Sequence, residues 1–146
     1  VEDSEFVDAF SNASLSKASL ARYILGEIND YLEKNEEKKV AERSGKITLE
    51  HIMPRTPGPD WKNTYRDRDD LSEHVDLIGN LTLLEKGKNR GIANRGFLEK
   101  KRKAFASSSL AINQELAKYR SWSVKKIEKR SRALAQTAKQ IWRVDY

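Results

Sequence analysis

The chain has 146 residues, of which 38% are hydrophobic and 34% are charged, and it contains no cysteine. These proportions predict one polar domain with a core, and they exclude disulfides and thiolate zinc sites. No apolar run approaches the ~20 residues that a membrane span needs, so we expect no membrane segment. The lack of cysteine predicts a reducing, cytoplasmic setting.

The net charge of +6 is unevenly distributed along the chain. Residues 1–85 carry 11 Lys and Arg against 18 Asp and Glu, a net of −7, whereas residues 86–143 carry 17 against 3, a net of +14. Asp145 supplies the last negative charge. A basic half of this kind is typical of a protein that binds a phosphate backbone, and a solubilising surface is the alternative.

Two helices are predicted before the first strand. Glu2 to Phe10 shows the spacing of a short helix, and a stronger pattern lies within Ser14 to Lys39, where Leu20, Ile24 and Ile28 recur on one face.

The chain begins without an initiator methionine or a signal peptide, which predicts a fragment of a longer protein.

Two short strands are predicted in the middle of the chain. Residues 47–52 alternate between apolar and polar side chains, and the prolines of the segment Pro54 to Pro59 end that strand in a rigid loop. The second strand lies within Gly79 to Glu85. Two short strands do not form an independent sheet, so we expect them to pair as a hairpin that lies on the helices.

The basic half begins with a turn-rich loop, Lys86 to Gly96, and continues as helices. Helical patterns cover Phe97 to Ser107, a segment near 110–119, and most clearly Val124 to Ile141. Trp122 and the other aromatic residues of this half are more typical of a core than of base-stacking platforms.

The predicted hairpin and the helix after it would bring four polar residues together: Glu50 and His51 at the end of the first strand, Asn80 at the start of the second, and Asn89 in the basic loop. Carboxylate and amide oxygens suit Mg²⁺, and an imidazole that titrates near neutrality can take a proton from water. Singly, each residue has an ordinary structural explanation as a strand-end histidine, a turn former or a surface acid. The set predicts a minimal phosphodiester hydrolase.

The other histidine, His74, lies in LSEHVDLIG, which is typical of a short helical turn. No motif surrounds it, so we expect a structural role for His74 rather than metal binding.

The segments LEHIMP, GNLTLL and KNRG, in this order, resemble an HNH nuclease of the His-Me finger, or ββα-metal, type. KNRG also resembles the HNH domain of RNA-guided CRISPR nucleases. The whole chain is similar to the C-terminal domain of GmrSD-type, modification-dependent restriction enzymes. The further residues that carry this resemblance are Trp61, Ala93, Asn94, Phe97, Trp122, Ile127, Arg130, Leu134 and Trp142.

The resemblance implies an α+β, mostly α, fold in which a ββα-metal hairpin-plus-helix motif is embedded in a helical domain. Residues 1–45 would form the N-terminal helices, 46–107 the ββα-metal core and 108–146 the C-terminal helices of one domain. It also implies an HNH-type endonuclease that hydrolyses DNA in a prokaryotic restriction or antiviral defence enzyme. The full-length protein would carry an N-terminal ParB-like NTPase domain.

The resemblance also assigns roles. His51 would be the general base, Asn80 would support it, and Glu50 and Asn89 would hold one divalent metal ion. Asn89 stands where the family name has a histidine, so an oxygen ligand replaces nitrogen and Mg²⁺ or Mn²⁺ is expected rather than Zn²⁺. The expected DNA contacts are Lys86, Lys88, Arg90, Arg95, Lys100, Lys101, Arg102 and Lys103.

Two alternatives share this fold: a catalytically inactive nucleic-acid-binding module, and an interaction module coupled to an NTPase. The presence of all four residues Glu50, His51, Asn80 and Asn89 argues for the enzyme. The modification or sequence that is cut, the choice between nicking and double-strand cleavage, and the oligomeric state stay open at this level.

Overall fold

The computed structural model describes residues 3–34 and 46–142. Its N-terminal part consists of two helices, α1 (Asp3–Asn12) and α2 (Ala18–Glu33). Helix α2 buries Ala21, Leu25 and Ile28 along one face, whereas Leu20 of the predicted face is 46% exposed and Ile24 is half-buried. The predicted extension of this helix to Lys39 lies outside the described residues.

The two predicted strands pair as an antiparallel hairpin of β1 (Ile47–His51) and β2 (Leu81–Glu85). Ile47 lies opposite Glu85, and His51 lies opposite Leu81. The predicted strands were each slightly too long. Residues Ile78–Asn80 form a 3-10 turn instead, and this turn leads directly into β2.

The connection between the strands contains a 3-10 turn at Pro59–Trp61 and the short helix α3 (Arg68–His74). Asp67 caps α3, since its side chain accepts a hydrogen bond from the N–H of Asp70 at 2.9 Å. The helical turn expected around His74 is therefore present.

Three helices follow the basic loop: α4 (Phe97–Lys100), α5 (Ala111–Leu116) and α6 (Val124–Ile141). Helix α4 continues as a π-helical turn over Lys101–Phe105, so the predicted helix is present but contains a wider turn. Ser123 caps α6 by accepting from the N–H of Lys126.

The hairpin lies between helices, and apolar side chains fill both sides. One cluster joins α2, the hairpin and α6 through residues such as Leu25, Leu83 and Leu134. The other joins the end of β1 to α4 and α6, and Met53 and Phe105 are among its fully buried members. The predicted α+β, mostly helical fold with its antiparallel hairpin is confirmed. No helix within the described ranges is long and apolar enough to cross a membrane.

Helix α6 packs very closely against the turn that precedes β2. A Cβ atom on Gly79 would lie 2.6 Å from the backbone nitrogen of Ser131, so no larger residue fits there without displacing the helix. The Gly79 N–H donates to Ser131 Oγ at 2.8 Å. This contact fixes the position of the neighbouring Asn80.

Candidate active site

His51 ends β1, and its imidazole is held by a carboxylate. Nε2 lies 2.9 Å from Oδ1 of Asp76, and the same oxygen accepts a hydrogen bond from Nη2 of Arg55 at 3.1 Å. A carboxylate only accepts hydrogen bonds, so Nε2 carries the hydrogen, and Nδ1 has a lone pair whenever the ring is neutral. Within residues 3–34 and 46–142, no protein group hydrogen-bonds Nδ1.

Asn80 is fully buried and uses its whole amide group. Oδ1 accepts from the backbone N–H of Met53 at 2.8 Å and from Trp122 Nε1 at 3.1 Å. Nδ2 donates to the carbonyls of Met53 and Val75, both at 2.9 Å. Asn80 therefore holds the chain just after His51, and the group that contacts the imidazole is Asp76.

Arg130 of α6 supports Asn80 from behind. Its Nη1 donates to the carbonyls of Gly79 and Leu81, at 2.9 and 2.8 Å, on either side of Asn80. Burial lowers the pKa of this guanidinium to about 10. The other terminal nitrogen, Nη2, is buried and has no partner among the described residues.

Glu50 precedes His51 and is paired with a buried lysine. Nζ of Lys100 lies 3.0 Å from Oε2 of Glu50 and donates to the His51 carbonyl at 2.8 Å. The side chain of Lys100 is 0% exposed and that of Glu50 is 11% exposed. Burial lowers the pKa of the Lys100 ammonium, although the charge of Glu50 opposes this effect.

This placement corrects one expectation. Lys100 was predicted to contact DNA, yet its ammonium is buried and bonded to two protein acceptors. Lys100 therefore belongs to the interior of the candidate site. Four basic residues follow one another at positions 100–103, and the helical pattern of the sequence did not show that Lys100 is the one whose side chain is buried.

Asn89 lies half-buried in the basic loop, between two glycines with positive φ angles. The angle is 97° at Gly87 and 72° at Gly91. Across the part of the chain that the structure describes, no hydrogen bond joins Asn89 to Glu50 or His51. The structure thus brings Glu50, His51 and Asn80 together and leaves Asn89 in the adjoining loop.

The basic loop is attached to the segment that follows β1. Asn94 Oδ1 accepts from the Gly58 N–H at 2.7 Å, and Asn94 Nδ2 donates to the Thr56 carbonyl at 3.1 Å. Trp61 Nε1 donates to the carbonyl of Arg95 at 3.1 Å. These contacts place the loop beside the chain that leaves His51.

The remaining cations expected to contact DNA differ in whether their side chains are already bonded to other protein groups. Lys88 Nζ donates to Ser107 Oγ, and Lys101 Nζ donates to the Tyr119 carbonyl, each at 2.9 Å. Arg102 and Lys103 both pair with Glu99 at the surface. The residues of this set that are exposed are Lys86, Arg90, Arg95, Arg102 and Lys103.

The donor chemistry fits a hard divalent ion. One oxygen of the Glu50 carboxylate is bonded to Lys100, which leaves the other oxygen as an acceptor. Glu50 and Asn89 both carry oxygen donors, the type that Mg²⁺ and Mn²⁺ prefer, and no hydrogen bond among the described residues joins the two side chains.

A second cluster contains Asp70, Glu73 and His74, whose potential ligand atoms lie within 4.8 Å of one another. The ring nitrogens of His74 are already bonded: Nδ1 to the Asp70 carbonyl at 2.6 Å and Nε2 to Glu128 Oε2 at 3.0 Å. Burial disfavours the charged ring, but the Glu128 hydrogen bond, the Asp70 carbonyl and both negative charges outweigh it and raise the pKa of His74. His74 therefore links α3 to α6, which supports the structural role expected for it.

Asp70 in turn is stabilised as a carboxylate. The backbone N–H of Arg66 donates to its Oδ2 at 2.9 Å and lowers the pKa of that carboxyl. Both His74 and Asp70 thus find their partners within the protein, in a network separate from His51.

The fold and the site define the class: an α+β domain in which a histidine and a glutamate end the first strand of a hairpin and a buried asparagine precedes the second. Comparison with protein families matches residues 1–137 to GmrSD restriction endonucleases, C-terminal domain. The chain belongs to this family, and it is therefore a restriction-type endonuclease domain. A search of curated proteins found no match.

Proposed function

We propose that the chain is a metal-dependent DNA endonuclease of the HNH, ββα-metal type, in which His51 is the general base. The observation that carries this proposal is the position of His51 itself. Its partly exposed imidazole is held by Asp76 at Nε2 and lies next to Glu50, with Nδ1 available to accept a proton. General-base catalysis requires an imidazole that is held in position with one nitrogen able to take a proton.

In this mechanism, His51 Nδ1 takes a proton from a water molecule as the water oxygen attacks phosphorus. The bond from phosphorus to the 3′ oxygen breaks, which leaves a 5′-phosphate, and the 3′ oxygen takes a proton from solvent water to become a hydroxyl. Glu50 and Asn89 would hold the divalent ion, which supplies charge stabilisation at the phosphate and at the leaving oxygen. Asn80 and Lys100 hold the chain around His51 in place.

DNA would reach this site along the basic loop and the helix after it. The contacts we propose are Lys86, Lys88, Arg90, Arg95, Lys101, Arg102 and Lys103. The loop is bonded to the segment after β1, so a phosphate backbone that follows these cations passes close to His51. We also propose that the domain acts in the cytoplasm and together with an N-terminal ParB-like NTPase domain.

Plasmid cleavage tests the proposal. We expect nicking or linearisation with Mg²⁺ or Mn²⁺ and none with EDTA. His51→Ala should slow cleavage by about 10²–10⁴-fold, the usual contribution of a general base. His74→Gln is the matched control, because it changes the other histidine, and it should cleave at the rate of the unaltered protein.

Two results would contradict the proposal. Cleavage by His51→Ala at an unchanged rate would remove His51 from the reaction. DNA binding without cleavage under any divalent ion would favour the inactive nucleic-acid-binding module instead.

A further inference from the structure

The carboxylate of Asp76 lies between the His51 imidazole and the Arg55 guanidinium. Its Oδ1 is 2.9 Å from Nε2 of His51 and 3.1 Å from Nη2 of Arg55. The side chains of His51 and Asp76 are 21% and 17% exposed, whereas that of Arg55 is 54% exposed. The contact between His51 and Asp76 is therefore partly buried, and the more exposed Arg55 bonds the same carboxylate oxygen.

We propose that Asp76 is a positioning residue for His51, an inference that rests on the proposed role of His51 as general base. The two nitrogens of an imidazole point in different directions, so a hydrogen bond at Nε2 fixes the ring rotation and aims Nδ1 away from Asp76. The same bond keeps the hydrogen on Nε2 and the lone pair on Nδ1. A carboxylate orients the histidine of Ser-His-Asp hydrolases in the same way.

The backbone of Asp76 is anchored independently of its side chain. Its carbonyl accepts from the Leu15 N–H at 2.8 Å, and Ser14 forms a β-bridge with Leu77. Leu77 is itself buried. Replacing the carboxylate therefore removes the contact with His51 while the backbone keeps its attachments, so variants at this position are expected to fold.

Asp76 is bonded to protein donors through one of its two carboxylate oxygens. The oxygen that faces the site already accepts from the His51 ring and from both Nε and Nη2 of Arg55. The carboxylate is thus bonded to His51, and among the described residues it makes no hydrogen bond or ion pair with Glu50 or Asn89.

A double-mutant cycle separates positioning from a general structural effect. We expect Asp76→Ala to slow single-turnover cleavage by about 10- to 100-fold, and Asp76→Asn to slow it as well, because an amide N–H that donates to Nε2 would stabilise the wrong tautomer of His51. DNA affinity and Mn²⁺ affinity should stay within about twofold of the unaltered protein. Asp69→Ala removes an exposed acid from the same segment, and its cleavage rate should not change.

In the His51→Ala background, Asp76→Ala should cause no further decrease in rate, since there is no imidazole left to position. An equal decrease in both backgrounds would show that Asp76 acts on the fold, and the inference would be wrong. If His51→Ala slows cleavage but Asp76→Ala does not, only the Asp76 inference fails. If His51→Ala itself cleaves normally, the proposed function fails first.

Nuclear magnetic resonance of ¹⁵N-histidine-labelled protein gives a readout without activity. The His51 Nε2–H proton should be visible and protected from exchange in the unaltered protein and absent in Asp76→Ala. His74→Gln assigns the signals, because the chain has two histidines. An unprotected His51 Nε2–H in the unaltered protein would also overturn the inference.

Discussion

Asn80 bonds both backbone groups of Met53: its Oδ1 accepts from the Met53 N–H at 2.8 Å and its Nδ2 donates to the Met53 carbonyl at 2.9 Å. One side chain thus acts as a strand partner for the residue two positions after His51. The amide is suited to this because it carries an acceptor and two donors, and all are used.

Asn80→Asp tests this contact. A carboxylate has the same shape but no donor, so it would leave the carbonyls of Met53 and Val75 unsatisfied and bury a charge. We expect a decrease of about 2–4 kcal/mol in the free energy of unfolding, measured by urea denaturation. Asn63→Asp, at an exposed turn, is the control and should change this free energy by less than about 0.5 kcal/mol. Similar stability of the two variants would contradict the role of Asn80.

Lys100→Met should destabilise the protein, because the change leaves the Glu50 carboxylate and the His51 carbonyl without their buried donor. Breaking a buried pair at one partner costs about 3 kcal/mol. Adding Glu50→Gln to Lys100→Met should recover part of that stability, since the unpaired charge is then removed. The measurement is the denaturation midpoint of each variant. Lys103→Met is the control, because Lys103 pairs with Glu99 at the surface, and it should not change the midpoint. Absence of any recovery in the double variant would argue against the pair.

His74 predicts a pH dependence of stability. Its folded pKa is raised above the ordinary value of 6.5, so the folded protein holds the proton more tightly than the unfolded chain. The stabilisation is therefore complete below pH 6.5 and disappears as the pH rises through the higher folded pKa. The free energies of unfolding at about pH 6 and about pH 8 should differ less in His74→Gln than in the unaltered protein. Glu128→Gln should also reduce the difference, and an unchanged pH dependence in both would contradict the assignment.

The proposed DNA path predicts a change in salt dependence. Lys86 and Arg90 are exposed and make no side-chain hydrogen bond or ion pair among the described residues, so reversing both to Glu removes phosphate contacts without altering the fold. The slope of log K against log salt should fall by about 0.9 for each phosphate that the variant no longer neutralises, for all DNA sequences alike. The control reverses two exposed cations of the acidic half, Lys17 and Lys62, and should have little effect. A larger effect from the control pair would place the DNA elsewhere.

Much of the fold could be predicted because it depends on local patterns. Apolar residues recur with a period of two around Thr48 and with a period of 3.6 from Val124 onward, and the structure has the expected strand and helix there. The structure has a 3-10 turn where the start of β2 was predicted, because the backbone at Gly79 packs closely against α6. This packing joins distant parts of the chain, so the local sequence pattern could not predict it.

The site was less predictable than the fold. Glu50, His51 and Asn80 could be found from motifs, but their partners could not, because those contacts join distant parts of the chain. Asp76 is 25 residues from His51, and Lys100 is 50 residues from Glu50. An aspartate and one lysine among several look ordinary in sequence; only the packing of the helices makes them part of the site.

The turn that holds Asn80 depends on residues far downstream, since Arg130 bonds the carbonyls on either side of it and Ser131 bonds Gly79. During synthesis, the hairpin and its histidine leave the ribosome before α6 does. A nascent chain that stops short of α6 would carry every motif residue but lack the contacts that hold the turn. We therefore expect the assembly of this site to be a late event in folding, timed by the emergence of its last helix.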